Sequence, residues 1–335
     1  MYYTSDGTRF KLWIDARIHQ NRTGHVPLFD YHNNVWKSLR QDLIPDRPLW
    51  DLYKEQAQRL RDQHSWLSLM YSGGADSHNI LMAFLLNGVH LDEVITCDSS
   101  FGRPATFDTN SLNLHSEFEL TAAPVLNWVI KTYPKTKVTV IKSTPDSIAV
   151  SGESLHNQLT NHRLLTLFNG FEHDTQITSI GTLIVGQDKP FLIKNGENFF
   201  FSFSCIVSNF SNRKSVPFYW DHTFPELHIN QCRVLARNGV YIETGAVKES
   251  QLANRERYKD ILYKKTWHRK FQVNKMSDYF EGNPYTGAFN YIDPLLWKKM
   301  ADLRQDILTS SHLTLKDIYP CRTEQFPLYL PPFPS

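Results

Sequence analysis

"LSLMYSGGADSHNILMAFLLNG", residues 67–88, leaves an apolar strand, turns through Ser-Gly-Gly-Ala-Asp and enters an apolar helix with no spacer. Leu67, Leu69 and Tyr71, with Met70 between them, predict a short buried strand. Ile80, Leu81, Phe84 and Leu85 recur at helical spacing and predict a helix over 77–87. Gly88 stands where a C′ glycine stops a helix. An ordinary turn needs one glycine; here Gly73 and Gly74 lie side by side, flanked by the hydroxyls of Ser72 and Ser77. The two missing Cβ atoms open the backbone to close approach. A glycine-rich strand-to-helix turn aims backbone N–H groups and the positive helix end at one point, which makes an anion site and most often a phosphate site.

The kind of phosphate loop is decided by what is missing. A Walker A loop ends in Gly-Lys-Ser/Thr, and no lysine is present. The dinucleotide fingerprint needs a third glycine in register, also absent. The stretch Ser72-Gly73-Gly74-Ala75-Asp76-Ser77 resembles the SGGxDS loop of the PP-loop ATP pyrophosphatases, matching all five specified positions. That superfamily, the adenine nucleotide alpha hydrolase-like proteins, includes asparagine, NAD, GMP and argininosuccinate synthetases, tRNA-lysidine synthetase, tRNA thiolases and the 7-deazaguanine nitrile synthase. The resemblance, to an asparagine synthetase-like ATP-binding domain, covers about residues 65–190. It implies a Rossmann-like (HUP-type) parallel sheet sandwiched by helices, with ATP and Mg²⁺ as cofactors. It also implies cleavage of ATP between the α and β phosphates: AMP passes to an acceptor oxygen, pyrophosphate leaves, and a nucleophile displaces AMP. On this reading residues 72–77 cradle the β and γ phosphates, and their preorganised N–H donors stabilise the departing charge. Asp76, itself an anion, would act through Mg²⁺. It is equally suited to a helix cap or a first-turn charge.

Two further stretches fall at expected strand ends. In "VITCDSSFGR", residues 94–103, the resemblance makes Asp98 and Ser99 candidates for contacts to adenine and ribose; the alternative is an ordinary strand-to-loop junction. In "IVGQDKPFLI", residues 184–193, Gly186 permits close backbone approach, while Asp188 and Lys189 put both charge signs at a strand end. The stretch is similar to a Gly–acidic segment and lysine of asparagine synthetases, which would give Lys189 to the leaving pyrophosphate and Asp188 to Mg²⁺. The alternative is a surface hairpin turn before Pro190.

Around this centre the chain divides into three expected regions. Residues 1–64 read as an N-terminal extension, with a hairpin around Asp6-Gly7 and a helix begun near Pro48. Residues 65–190 alternate strand and helix, the pattern of a parallel sheet covered on both faces. Residues 191–335 read as hairpin and helix, with Asn195-Gly196 as a two-residue turn signal, a helix in "PELHINQCRVLARNG" closed by Gly239, and a Pro-rich end that suits neither helix nor central sheet.

The 335 residues are 41% hydrophobic, enough for more than one ordinary core, and the net charge of +2 carries no global polyanion signal. Four separated cysteines, at 97, 205, 232 and 321, without a CxxC pair, fit a reducing compartment. With no signal-peptide pattern and no apolar run long enough for a bilayer, the expectation is a cytoplasmic protein of a cell or virus-infected cell, without a membrane partner. Residues 255–275 carry eight Lys or Arg against two acids, with Tyr258, Tyr263, Trp267 and Phe271 interleaved. That is a footprint for tRNA or DNA, or equally a helix whose aromatics face the core. Asp221, His222, Glu226 and His228 lie close enough in sequence to raise a metal site.

The absent cysteine signatures argue against the thiolase, reductase and deazaguanine branches. The expected function is adenylation of a carboxyl or carbonyl oxygen, followed by attack of ammonia or another amine from a separate donor. Modification of a nucleic acid base by the same adenylation step is the alternative. A catalytically silent nucleotide-binding module is the third reading, and the intact loop speaks against it.

Overall fold

The computed structural model describes residues 2–10, 16, 19–20, 22–98, 118–142, 181–186, 190–203, 215–243, 257–266 and 323–332. The chain opens with β1 (Tyr2–Ser5) and β2 (Thr8–Phe10), joined through Asp6 and Gly7 at φ 49° and 73°. Two consecutive positive φ values match the right-handed twist of the strands, the reason Asp-Gly is favoured there. β3 (Leu28–Asp30) pairs with β1 to complete an antiparallel sheet of order β2-β1-β3. The short α1 (Asn33–Ser38) follows, then α2 (Leu49–Gln63), which starts immediately after Pro48. Leu52, Tyr53, Gln56, Ala57 and Leu60 bury one stripe of α2, the spacing an amphipathic helix needs.

The parallel sheet begins at β4 (Leu67–Met70), followed by α3 (Ala75–Leu85) and β5 (Glu93–Asp98). A π-helical turn at Phe118–Ala122 leads into α4 (Ala123–Thr132) and β6 (Lys137–Lys142). β7 (Thr182–Val185) comes next, then β8 (Phe191–Asn195) and β9 (Asn198–Ser202), which form a hairpin. β10 (Ser215–Pro217) precedes α5 (Pro225–Arg237) and the two-residue β11 (Ile242–Glu243). A helical segment over 257–262, here α6, and the short β12 (Phe326–Pro327) complete the described elements.

Five strands form an all-parallel sheet of order β10-β7-β4-β5-β6. The fold is therefore α/β, with a Rossmann-like parallel sheet flanked by helices. The strand succession runs outward from β4 through β5 to β6, then returns to the other side of β4 for β7 and β10. That reversal places a topological switch point between β4 and β7, where open parallel sheets bind their ligands. The fifth strand comes from 215–217, beyond the expected region boundary at 190, so residues after the β8–β9 hairpin re-enter this sheet.

The second glycine turn differs by one residue from its expected position. Asn195 pairs with Asn198, so Gly196-Glu197 is the two-residue loop. Gly196 alone has positive φ, at 58°, the pattern of a type II′ turn, which wants glycine first. β12 lies at the edge of the sheet β11-β8-β9-β12, where Pro327 removes no interior ladder bond. Gly88 (φ 69°) and Gly239 (φ 67°) close α3 and α5: Val89 N–H donates to the Phe84 carbonyl at 3.0 Å and Val240 N–H to that of Leu235 at 2.9 Å, as in a Schellman motif.

α2 packs against both α3 and α5. Arg233 of α5, fully buried, donates to the carbonyls of Ile44, Gln41 and Tyr329 and to the Asp46 carboxylate. His228, on the same helix, is also fully buried, with ring centroids 4.6 Å from Phe203 and 5.5 Å from Trp36. Burial, offset in part by the Tyr219 backbone, pulls its pKa from 6.5 down to about 3. Below pH 6.5 the unfolded chain takes up a proton that the folded chain refuses until about pH 3. Stability therefore falls as pH drops through this window, by up to about 1.4 kcal/mol per pH unit. His228→Phe should flatten that part of the profile in denaturant unfolding across the window; a slope unchanged from wild type would contradict this account of His228.

Candidate functional site

Because β4, β5 and β7 run parallel, the segments leaving their carboxyl ends emerge on one edge of the sheet. The register pairs Met70 with Ile95 and Leu69 with Ile184. Residues 72–74, Asp98 and Gly186 are thereby gathered at that edge around the switch point. Ser99 lies outside the described residues, as do Asp188 and Lys189.

The loop is built as its residue types require. Gly73 has φ 77°, in the left-handed region that favours glycine. A Cβ there would collide with Thr121 Oγ1 and come within 3.2 Å of the Ala122 nitrogen. Only glycine lets the loop pack against the π-helical turn. Gly186 serves the other side: its Cβ would stand 2.7 Å from Ile80 Cδ1 and 3.4 Å from the Ser77 nitrogen. The end of β7 thus lies directly against the first turn of α3, which gives the expected close approach a specific partner.

Gly74 is the N-cap of α3 and offers no side-chain cap to the first turn. Ser77 Oγ accepts the Ser72 N–H at 3.2 Å and donates to the Gly74 carbonyl at 3.1 Å, while Ser72 Oγ lies 3.4 Å away. Ser72 is exposed, Ser77 buried. Ser77 therefore fixes the loop and Ser72 presents its hydroxyl outward. A positive helix end without a side-chain cap, a glycine at positive φ and an exposed hydroxyl fit a polyphosphate.

Asp76, half-buried in the first turn, is held by residues more than a hundred positions away in sequence. Tyr263 donates its hydroxyl to Asp76 Oδ1 at 2.5 Å, across 187 positions of sequence. Tyr219 donates to the Asp76 carbonyl at 2.8 Å and accepts from Asn79 Nδ2 at 3.1 Å. Thr266 Oγ1 donates to Asn79 Oδ1 at 2.7 Å. Asp76 and Asn79 are three apart and share a helix face, and the 257–266 segment docks on that face. Burial, then the Asp76 charge, pushes Tyr263 well above the ordinary tyrosine pKa, so it stays a protonated donor. Tyr219 is raised by burial, then by Tyr53 and Asp76.

Sequence reasoning missed Thr121, Tyr219 and Tyr263. No local signal marks them: each is an ordinary residue of its own segment, and only the fold brings it to the loop.

The remaining expectations resolve differently. Tyr258 and Tyr263 are buried, so the described part of 255–275 follows the reading in which aromatics face the core. Lys264 and Lys265 are exposed, Lys265 Nζ lying 4.6 Å from the Trp50 ring centroid; Trp267, Arg269, Lys270 and Phe271 lie outside the described residues. The four residues raised as a metal site do not converge. His222 stacks on His32 at 3.6 Å, Glu226 faces Arg47, Asp221 accepts from Gln56 and Thr223, and His228 sits among aromatic rings. Among the described residues no group of three or more His, Cys, Asp or Glu is arranged to hold a metal ion, and no helix is long and apolar enough to cross a membrane.

The chain matches no protein-family model and no curated protein.

Proposed function

We propose that the chain is a PP-loop ATP pyrophosphatase of HUP-type architecture. The observation that carries the reading is the position of the Ser72–Ser77 loop. It leaves the central strand at the switch point, its glycine holds φ 77°, and its amides head a helix without a side-chain cap. A loop that matched the family pattern by accident would have no reason to occupy that point of a parallel sheet.

In this function the loop binds the β and γ phosphates of ATP. The α–β phosphoanhydride bond breaks, the AMP moiety bonds to a carboxyl or carbonyl oxygen of the acceptor, and pyrophosphate leaves with its electron pair. An amine then displaces AMP, forming an amide or amidine. The first-turn amides of α3 and Ser72 Oγ receive the charge that grows on the pyrophosphate. Asp76 would hold Mg²⁺, which supplies charge neutralisation between the phosphates and the carboxylate. Asp98, at the end of β5, would contact the adenosine, the role that the family resemblance assigns it. Asp188 and Lys189 keep the roles that the family resemblance assigns them, on metal and pyrophosphate.

The small-molecule acceptor is favoured over a nucleic acid by the burial of Tyr258 and Tyr263, which removes two of the four aromatics a stacking platform would use. Equilibrium binding of α,β-methylene-ATP tests the reading. Binding should require Mg²⁺ and be displaced by pyrophosphate; binding indifferent to both would refute it.

A further inference from the structure

The Tyr263–Asp76 hydrogen bond joins two segments that the sequence keeps apart. Resting on the function proposed above, we propose that Tyr263 is a positioning residue for Asp76. Its hydroxyl fixes the carboxylate that would hold Mg²⁺, so that a segment distant in sequence completes the phosphate site.

The chemistry of the donor favours this role over simple docking. A carboxylate accepts several hydrogen bonds at once, and Tyr263 supplies one of them at Oδ1. A lysine or arginine at the same place would cancel the charge that a cation needs; a tyrosine hydroxyl orients the group and leaves it anionic. Donors in this position around metal-binding carboxylates set both rotamer and affinity. The tyrosine is itself immobilised. It is buried, its ring centroid lies 5.9 Å from that of Tyr219 and 6.4 Å from those of Tyr53 and Tyr258, and its N–H donates to the Lys259 carbonyl at 2.9 Å. Thr266 reaches Asn79 from the same segment. That link holds the segment on α3 without touching the carboxylate, and so separates orientation of Asp76 from attachment of 257–266.

The test compares full-length Tyr263→Phe and Thr266→Val with wild type, titrating Mg²⁺ against α,β-methylene-ATP binding by calorimetry. Tyr263→Phe keeps the ring and removes the hydroxyl. Its apparent Mg²⁺ constant should rise about tenfold to a hundredfold, with nucleotide binding restored by excess Mg²⁺. Thr266→Val should lower the melting temperature and leave the Mg²⁺ constant where it was. An unshifted constant in Tyr263→Phe, or equal shifts in both variants, overturns the proposal. If wild type itself shows no Mg²⁺-dependent binding, the reading of the loop as a phosphate site fails, and the role of Tyr263 fails with it.

Discussion

Gly73→Val should abolish measurable nucleotide binding, a loss of more than about a hundredfold, roughly 3 kcal/mol. Two independent faults combine. Valine is β-branched and is disfavoured at φ 77°. Its Cβ also meets Thr121 Oγ1, and behind that the Ala122 backbone nitrogen at 3.2 Å, which cannot rotate away. The loop must then lift from the π-helical turn, and its amides lose their common aim. Strain of this kind costs about 1–3 kcal/mol of stability, so circular dichroism has to accompany the binding titration. Gly73→Ala keeps both faults in their mildest form. Adding Thr121→Ala to it removes the nearest obstructing atom and leaves the φ penalty, so the double variant should recover part of the lost affinity. Wild-type affinity in Gly73→Val would exclude the loop as the phosphate cradle.

The second large effect falls on turnover. Asp76→Asn preserves shape and leaves a carbonyl oxygen to accept from Tyr263, so the fold should survive. The helix loses one first-turn charge, about 0.3–1 kcal/mol at most. Release of pyrophosphate should nevertheless drop by at least about a hundredfold, because an amide is a poor substitute for a carboxylate at Mg²⁺. Coupled detection of pyrophosphate measures it. Undiminished release would return Asp76 to the plain role of a first-turn charge.

The parts of the fold legible in sequence are those decided within a few residues. The strand, glycine turn and helix at 67–88 are local, since apolar spacing and two glycines specify them together. The Asp6-Gly7 hairpin and the glycine stops at 88 and 239 are legible for the same reason: positive φ excludes most other residues. At Gly196 the sequence points one residue early, because Asn-Gly and Gly-Glu are both serviceable loops and the pairing of Asn195 with Asn198 is decided by the strands. β10 was not visible as part of the parallel sheet. Only three residues long and separated from β7 by a hairpin, it carries no alternation of its own. The support of Asp76 was the least legible feature, because Tyr219 and Tyr263 reach it across more than a hundred residues. In sequence, Tyr263 reads as one more aromatic in a basic helix. Its hydroxyl matters only once the segment is laid across α3.

The products of ATP cleavage test the central claim most directly. The protein is incubated with α-labelled ATP, Mg²⁺ and a deproteinised cell extract as the source of acceptors, and the labelled product is separated by charge. Labelled AMP with stoichiometric pyrophosphate is the predicted result, absent in Asp76→Asn. Labelled ADP with inorganic phosphate would contradict the account.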